Sequence, residues 1–149
     1  MKFIVHTDGG ARGNPGPADV GVVIEEVESD NGNVIRKKLL AEFGKRIGET
    51  TNNVAEYTAV IEALHFMKNY PIIKLSNFPI IQFFLDSKLV VEQLSGNYKV
   101  KDPKLRELTM QVKHLERECA GVVAYAHIPR EENSLADLLV NRALDARGQ

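Results

Sequence analysis

The chain has 149 residues, of which 44% are hydrophobic and 26% charged, a composition typical of one soluble globular domain spanning residues 1–149. Its formal net charge of -1 excludes an overall basic field, so any nucleic acid would have to be held by local patches. The single cysteine excludes an internal disulfide and a cysteine-based zinc site, and no window is apolar enough to span a bilayer. We expect a cytoplasmic monomer with no signal peptide, no membrane contact and no obligate protein partner.

The first predicted strand ends in an aspartate that is followed by a glycine-rich loop. Alternation along KFIVHTD, about residues 2–8, places Asp8 at the strand end, and GGARGNPGP then supplies four glycines and two prolines. Glycines allow the backbone to approach another group closely. The loop is not a phosphate-binding P-loop, because no Gly-Lys-Ser/Thr follows it. Two interpretations stay open here: a tight turn with an exposed carboxylate, or a loop that contacts a ligand.

Two more strands complete an antiparallel meander. DVGVVIEEVE (19–28) and VIRKKLLAEFGKRIG (34–48) flank Asp30-Asn31-Gly32-Asn33, a strong hairpin turn. Beyond them, periodicity and capping residues predict a helix over 50–69, a buried strand over 79–86, helices over 87–96 and 102–121, a strand over 122–128 and a helix over 131–146.

This order of elements, β-β-β-α-β-α-α-β-α, predicts the α/β class: a mixed five-stranded sheet with helices on both faces. Cys119 falls on the apolar seam of the helix over 102–121, which predicts a core residue rather than a nucleophile.

Four acids occupy positions from which they can share a metal ion. Asp8 and Asp86 leave strands that are expected to be parallel neighbours, so their carboxylates meet at one edge of the sheet. Glu56 and Asp137 would complete the coordination from helices. Hard cations such as Mg²⁺ or Mn²⁺ prefer oxygen ligands of this kind, and two such ions clamp the oxygens of a phosphoryl displacement. Taken singly, each acid is also explained as a solvated helix residue or an N-cap.

Four stretches together resemble the type 1 ribonuclease H family: TDGGARGNPGPA, TTNNVAEYTAVIEAL, LDSKLVVEQLSGNYKVKDPKL and HIPREENSLADLLVNRAL. The likeness covers nearly the whole chain and is greatest to the compact bacterial and archaeal branch. It implies a metal-dependent endonuclease that cuts the RNA strand of an RNA/DNA hybrid and leaves 5′-phosphate and 3′-hydroxyl ends. It also implies two Mg²⁺ or Mn²⁺ ions per site, held by Asp8, Glu56, Asp86 and Asp137.

The resemblance assigns substrate contacts to the glycine-rich loop and to the TTNN segment. The expected contacts to the RNA strand, where the 2′-hydroxyl distinguishes RNA from DNA, are Gly10, Asn14, Asn52 and Asn53. Thr51 aligns with a threonine that holds a phosphate of the DNA strand. Helix capping by Asn52 or Asn53 is the structural alternative, and one residue can do both.

The chain departs from the family near the last acid. Many members carry a mobile catalytic histidine there, and a gapless alignment from Asn133 puts His127 in that place. Strand alternation from Tyr125 instead assigns His127 to the last strand. Arg130, seven residues before Asp137, is the alternative group to act on the scissile phosphate or the leaving oxygen, and we favour it.

The basic handle with which some relatives grip the duplex is absent from the sequence. Its region holds GNYKVKDPKLRE, whose cations form either a reduced substitute or a solvated loop: Lys99, Lys101, Lys104 and Arg106. LSNFPIIQ (75–82) resembles a short insertion before the fourth strand.

Two other classes of function compete with this one. A non-enzymatic nucleic-acid-binding module is disfavoured, because clustered acids repel phosphates. A 3′–5′ exonuclease or phosphomonoesterase of related fold is the other. Such exonucleases begin with an Asp-x-Glu pair, whereas Gly9 and Gly10 follow Asp8 here.

Overall fold

The computed structural model describes residues 2–70, 79–119 and 121–146. Within these ranges the strands are β1 (Lys2–Ala11), β2 (Gly16–Asp30), β3 (Asn33–Thr50), β4 (Ile80–Leu85) and β5 (Val122–His127). The helices are α1 (Asn52–Asn69), α2 (Lys88–Leu94), α3 (Pro103–Glu118) and α4 (Ser134–Ala146), the last preceded by a 3-10 turn over Arg130–Asn133. The predicted order of strands and helices is confirmed.

The described strands form one mixed five-stranded sheet in the order β3-β2-β1-β4-β5. β1 to β3 are antiparallel, and Asn31 and Gly32 make the turn between β2 and β3 with φ of 50° and 82°, as the Asn-Gly pair predicts. β4 pairs in parallel with both β1 and β5, which makes it a central strand. The α/β class and the predicted neighbourhood of β1 and β4 are therefore confirmed.

Helices cover both faces of the sheet. The main core lies on the face covered by α1, α2 and α3, where Phe3, Val5, Phe83 and Tyr57 are fully buried. The seam of α3 joins this core and includes Cys119, which is 5% exposed, so its predicted core position is confirmed. Burial raises the pKa of the Cys119 thiol to about 11, which keeps it protonated and unreactive. The opposite face is covered by α4.

Three helices begin where a side chain caps the first turn. Thr51 Oγ1 accepts a hydrogen bond from the Val54 N–H in α1, and Ser87 caps α2 in the same way. Asp102 caps α3, with Pro103 in its first turn as predicted. The cap of α1 is therefore Thr51, not Asn52 or Asn53. No helix in the described ranges is long and apolar enough to cross a membrane.

Several predicted boundaries are wrong by a few residues. β1 continues past Asp8 to Ala11, because residues 9–11 still pair with β2. α4 begins at Ser134 rather than at residue 131, because the preceding residues form the 3-10 turn. Within the predicted insertion, residues 75–78 lie outside the described ranges, while Ile80, Ile81 and Gln82 belong to β4.

Candidate active site

The carboxylates of Asp8, Glu56 and Asp86 converge at the carboxyl ends of the central parallel strands. The last parallel pair between β1 and β4 joins His6 and Phe84, and Asp8 and Asp86 each follow two residues later. Because side chains alternate along strands, both aspartates lie level with each other and on one face of the sheet. One oxygen of each of the three acids lies within 4.8 Å of the others.

Gly9 allows α1 to lie directly on β1 and so brings Glu56 to Asp8. A Cβ built on Gly9 would stand 2.2 Å from the carbonyl carbon of Ala55 and 2.5 Å from the backbone nitrogen of Glu56. Backbone atoms cannot yield to such a contact, so only glycine fits at this position. The close approach places a helical glutamate beside a strand aspartate.

Gly21 allows α4 to lie directly on β2, on the other face of the sheet. Its position in β2 is opposite Asp8, and a Cβ there would stand 2.2 Å from the Ala136 carbonyl oxygen. α4 therefore lies against the sheet, and Asp137 in its first turn reaches the cleft that holds the other three acids. Asp137 stands outside the tight group of three, although its carboxylate is close enough to raise the pKa of Asp8.

Burial makes this group of acids costly to ionise. It raises the pKa of Asp8 from 3.8 to about 7; a hydrogen bond with the Glu56 carboxyl opposes the rise, and the charges of Asp86 and Asp137 add to it. The pKa of Glu56 is raised well above its usual value, first by burial and then by the charge of Asp8.

Asp8 Oδ1 and Glu56 Oε2 are buried and have no hydrogen-bond partner among the described residues. Buried carboxylate oxygens without donors are the ligands that a hard divalent cation requires, because its charge offsets both the desolvation and the mutual repulsion. The residues present therefore fit a Mg²⁺ or Mn²⁺ ion.

Sequence reasoning missed Asn133 as a member of this site. It is 1% exposed, and its side-chain nitrogen donates to the Thr7 carbonyl at 2.8 Å and to Asp86 Oδ2 at 3.0 Å. The only signal in the sequence was an asparagine inside the HIPREENSLAD stretch, four residues before the last acid.

The residues that line the cleft distinguish between Arg130 and His127, the two candidate catalytic groups near Asp137. The cleft has a volume of about 480 Å³, and Arg130 and Arg12 line it together with the four acids. His127 is not among its lining residues. His127 is the last residue of β5. As strand alternation predicts, its side chain lies on the same face of the sheet as that of Tyr125, which packs against the main core. Arg12 is ion-paired with Asp145 of α4.

Reciprocal hydrogen bonds attach the glycine-rich loop to the start of α1. Asn52 Oδ1 accepts from the Ala11 N–H at 2.8 Å, and Asn14 Oδ1 accepts from the Asn52 N–H at 2.9 Å. Both amide oxygens are thus engaged, and the two NH₂ groups make no hydrogen bond with described residues. The predicted contacts Gly10, Asn52 and Asn53 line the cleft, whereas Asn14 and Thr51 do not.

Lys99 and Lys101 are exposed and lie outside the cleft, on the segment between α2 and α3. The segment is braced from within, because Arg106 Nε donates to the Val100 carbonyl at 2.7 Å. Arg106 is thus held by the fold itself, and Lys104 stands 3.9 Å from Glu107.

A five-stranded mixed sheet with buried acids at the ends of its central strands defines the ribonuclease H-like class of fold. Among solved structures, LC11-RNase H1 in complex with an RNA/DNA hybrid is similar, with a TM-score of 0.82 and 43% identity over 99% of this chain and 100% of that one. A family described as reverse transcriptase-like matches residues 6–143. The chain belongs to the type 1 ribonuclease H family, which confirms the resemblance.

Two curated relatives bear on the extent of the match. The bifunctional protein of Mycobacterium tuberculosis is 40% identical over all of this chain, and the ribonuclease HI of Halobacterium salinarum is 40% identical over 93% of it. The chain spans only 37% and 62% of the lengths of these two relatives.

Proposed function

We propose that this chain is a metal-dependent endoribonuclease that hydrolyses the RNA strand of RNA/DNA hybrids. The observation that carries the proposal is the group formed by Asp8, Glu56 and Asp86, whose oxygens lie within 4.8 Å of one another at the base of an open cleft. A binding module gains nothing from such a group, since it repels phosphates. A metal-dependent nuclease requires one.

The acids hold the metal, and other groups position the substrate. Asp8, Glu56, Asp86 and Asp137 would hold two ions per site with substrate bound. A divalent cation such as Mg²⁺ or Mn²⁺ held there would supply the positive charge that a phosphoryl displacement requires. Water adds to phosphorus, the bond from phosphorus to the 3′-oxygen breaks, and a proton passes to that oxygen. The products are a 5′-phosphate and a 3′-hydroxyl.

Arg130 is placed to assist departure of the 3′-oxygen, the leaving group of the reaction. Its cationic guanidinium lines the cleft, where it can stabilise negative charge on the 3′-oxygen or hold the phosphate. His127 belongs to β5 and lies outside the lining, so we assign it no catalytic part.

The choice of RNA follows from the donors beside the acids. The NH₂ group of Asn52, which lines the cleft, makes no hydrogen bond with described residues and can donate to a substrate. Asn14 lies outside this lining and holds Asn52 in place, because its Oδ1 accepts from the Asn52 N–H. A ribose 2′-hydroxyl can accept from such donors, and DNA lacks that group. Gly10 and Asn53 lie in the same wall and add close backbone and side-chain contact.

The test uses end-labelled substrates and Mg²⁺. RNA/DNA hybrid, RNA/RNA, DNA/DNA and both single strands are incubated with the protein, and Asp86→Asn, purified in parallel, controls for contaminating nucleases. We expect internal cleavage of the hybrid alone, and only where consecutive ribonucleotides are paired with DNA. Efficient cutting of duplex DNA or single-stranded RNA would indicate another nuclease. Binding without cleavage would indicate a non-enzymatic module.

A further inference from the structure

Asn133 connects three elements that carry the site. It ends the 3-10 turn that begins with Arg130, and α4 with Asp137 follows it directly. Its side chain crosses to the sheet and contacts both β1 and the residue after β4. The residue is 1% exposed, so these hydrogen bonds form away from water.

The geometry fixes how the Asn133 amide is oriented. Its two partners, the Thr7 carbonyl oxygen and Asp86 Oδ2, are both acceptors. Turning the amide over would set its own oxygen against both, so the NH₂ group must face them and uses both hydrogens. Asn133 Oδ1 is left without a partner among the described residues.

Both acceptors lie just beyond the point at which β1 and β4 stop pairing. The parallel pairing of β1 and β4 ends at His6 and Phe84, so the Thr7 carbonyl lies just beyond the ladder. For the side chain of Asp86, Asn133 is the only hydrogen-bond donor in the described part of the chain. One amide therefore closes the gap between the two strands and restrains the carboxylate that follows β4.

We propose that Asn133 is a positioning residue for the metal site: it holds one oxygen of Asp86 and leaves the other to the group formed with Asp8 and Glu56. The proposal rests on the proposed function only in taking that group as a metal site. Outer partners that orient a metal-binding carboxylate contribute to affinity because they restrict its rotation before the ion binds. Asn133 touches no substrate in this role.

The test is metal binding by the free protein. Mn²⁺ alone is titrated into the parent and into Asn133→Ala, and free Mn²⁺ is followed by electron paramagnetic resonance. We expect the dissociation constant to rise about 10–100-fold in Asn133→Ala. Ile81→Val, a truncation in the buried part of β4, serves as a control for lost stability.

Steady-state rates on hybrid add a second readout. We expect kcat of Asn133→Ala at subsaturating Mg²⁺ to fall and to recover partly as Mg²⁺ is raised, with KM for hybrid nearly unchanged. Mn²⁺ affinity equal to that of the parent in an Asn133→Ala protein that melts like Ile81→Val would overturn the assignment. A parent that binds Mn²⁺ but cleaves no hybrid contradicts the proposed function, and the titration still tests Asn133.

A measurement on the parent covers the case in which the variants do not fold. The side-chain amide resonances of Asn133 are followed by nuclear magnetic resonance during a Mg²⁺ titration. We expect both hydrogens to exchange slowly with solvent and both resonances to shift as the metal binds to Asp86. Fast exchange, or resonances that do not move at saturation, would overturn the proposal.

Discussion

The site depends on individual carboxylates that are placed where ionisation is unfavourable. Asp8 is 3% exposed and Glu56 7%, yet each has an oxygen with no donor in the described structure. These buried charges destabilise the metal-free fold, and they become favourable only when a cation binds. Removing one charge should therefore affect activity and stability in opposite directions.

The first prediction concerns Asp8→Asn and Asp86→Asn. Each variant keeps the shape of the side chain and loses a metal-binding charge, so we expect hybrid cleavage to fall by at least about a thousandfold. Metal-free Asp8→Asn should melt at the same temperature as the parent at pH 7.5 or at a higher one, because a buried charge is gone. Initial rates at saturating Mg²⁺ and thermal melts measure the two effects. Unchanged turnover in either variant would remove it from the metal site.

The second prediction separates Arg130 from His127. Arg130 lines the cleft, so Arg130→Ala should lower kcat by roughly ten- to a thousandfold, the range for losing one charge-stabilising group. His127→Ala should leave kcat within about twofold, because strand alternation turns that side chain toward the face of Tyr125.

Full profiles of rate against pH for both variants decide between them. An arginine acts through a fixed positive charge, so loss of Arg130 should lower the profile at every pH without changing its shape. Loss of an ionisation near pH 6–7 in His127→Ala, together with most of the activity, would reverse the assignment.

At the element scale, the spacing between helix and sheet sets the geometry of the acids. α1 lies on β1 at a distance that only glycine permits at residue 9, and Glu56 is carried on the first turns of that helix. A neighbouring glycine provides a matched comparison. A Cβ at Gly10 would meet only Val140 Cγ1 at 3.5 Å, an ordinary contact.

We therefore predict that Gly9→Ala and Gly10→Ala differ sharply in stability. Gly9→Ala forces α1 away from β1 and should lower the free energy of unfolding by about 2 kcal/mol or more, as overpacking does. Mn²⁺ affinity should fall with it, because Glu56 moves from Asp8. Gly10→Ala should unfold within about 0.5 kcal/mol of the parent. Chemical denaturation of both measures the difference, and equal stabilities would show that the close approach is not rigid.

A further prediction concerns the lysines of the segment between α2 and α3. Lys99→Ala/Lys101→Ala should raise KM for hybrid and leave kcat nearly unchanged, because phosphate contacts position the substrate and take no part in the reaction. The slope of log affinity against log salt should decrease by about 0.7–0.9 for each lysine that contacts a phosphate.

Lys37→Ala/Lys38→Ala, on the exposed strand β3, makes the same change in net charge away from the segment between α2 and α3 and serves as the control. If this control raises KM equally, general attraction explains the effect. A fall in kcat at constant KM would place the lysines nearer the reaction than the structure does.

Across the whole molecule, local sequence patterns predicted the helices and strands. They did not reveal contacts between residues that lie far apart in the chain. The caps of α2 and α3 and the apolar seam of α3 depend on residues a few positions apart, so sequence was sufficient for them. Asn133 lies 126 residues from Thr7 and 47 from Asp86, and nothing local marks its hydrogen bonds. Gly9 and Gly10 likewise look alike in sequence, and only the packing of α1 distinguishes them.

The acids also connect the stability of the whole molecule to pH and metal. Burial raises the pKa of Asp8 to about 7 in the folded protein, from 3.8 when exposed. A raised carboxyl pKa means that the folded state binds the proton more tightly, so the stabilisation is complete below about pH 4 and is lost as pH rises through 7. Burial and the charge of Asp8 raise the pKa of Glu56 as well, so its ionisation adds a loss of the same sign.

We therefore predict that the metal-free parent loses stability relative to Asp8→Asn as pH rises from 4 to 8. The difference in unfolding free energy should change by about 2–4 kcal/mol, at roughly 1.4 kcal/mol per unit of pKa shift. Comparison with Asp8→Asn cancels the surface carboxylates, whose contributions the two proteins share. Saturating Mg²⁺ should abolish most of the change, because bound charge replaces the bound proton. Urea denaturation at each pH, with chelator and with Mg²⁺, measures it. A parent and variant that stay parallel across this range without metal would mean that Asp8 ionises in the folded protein as readily as in water.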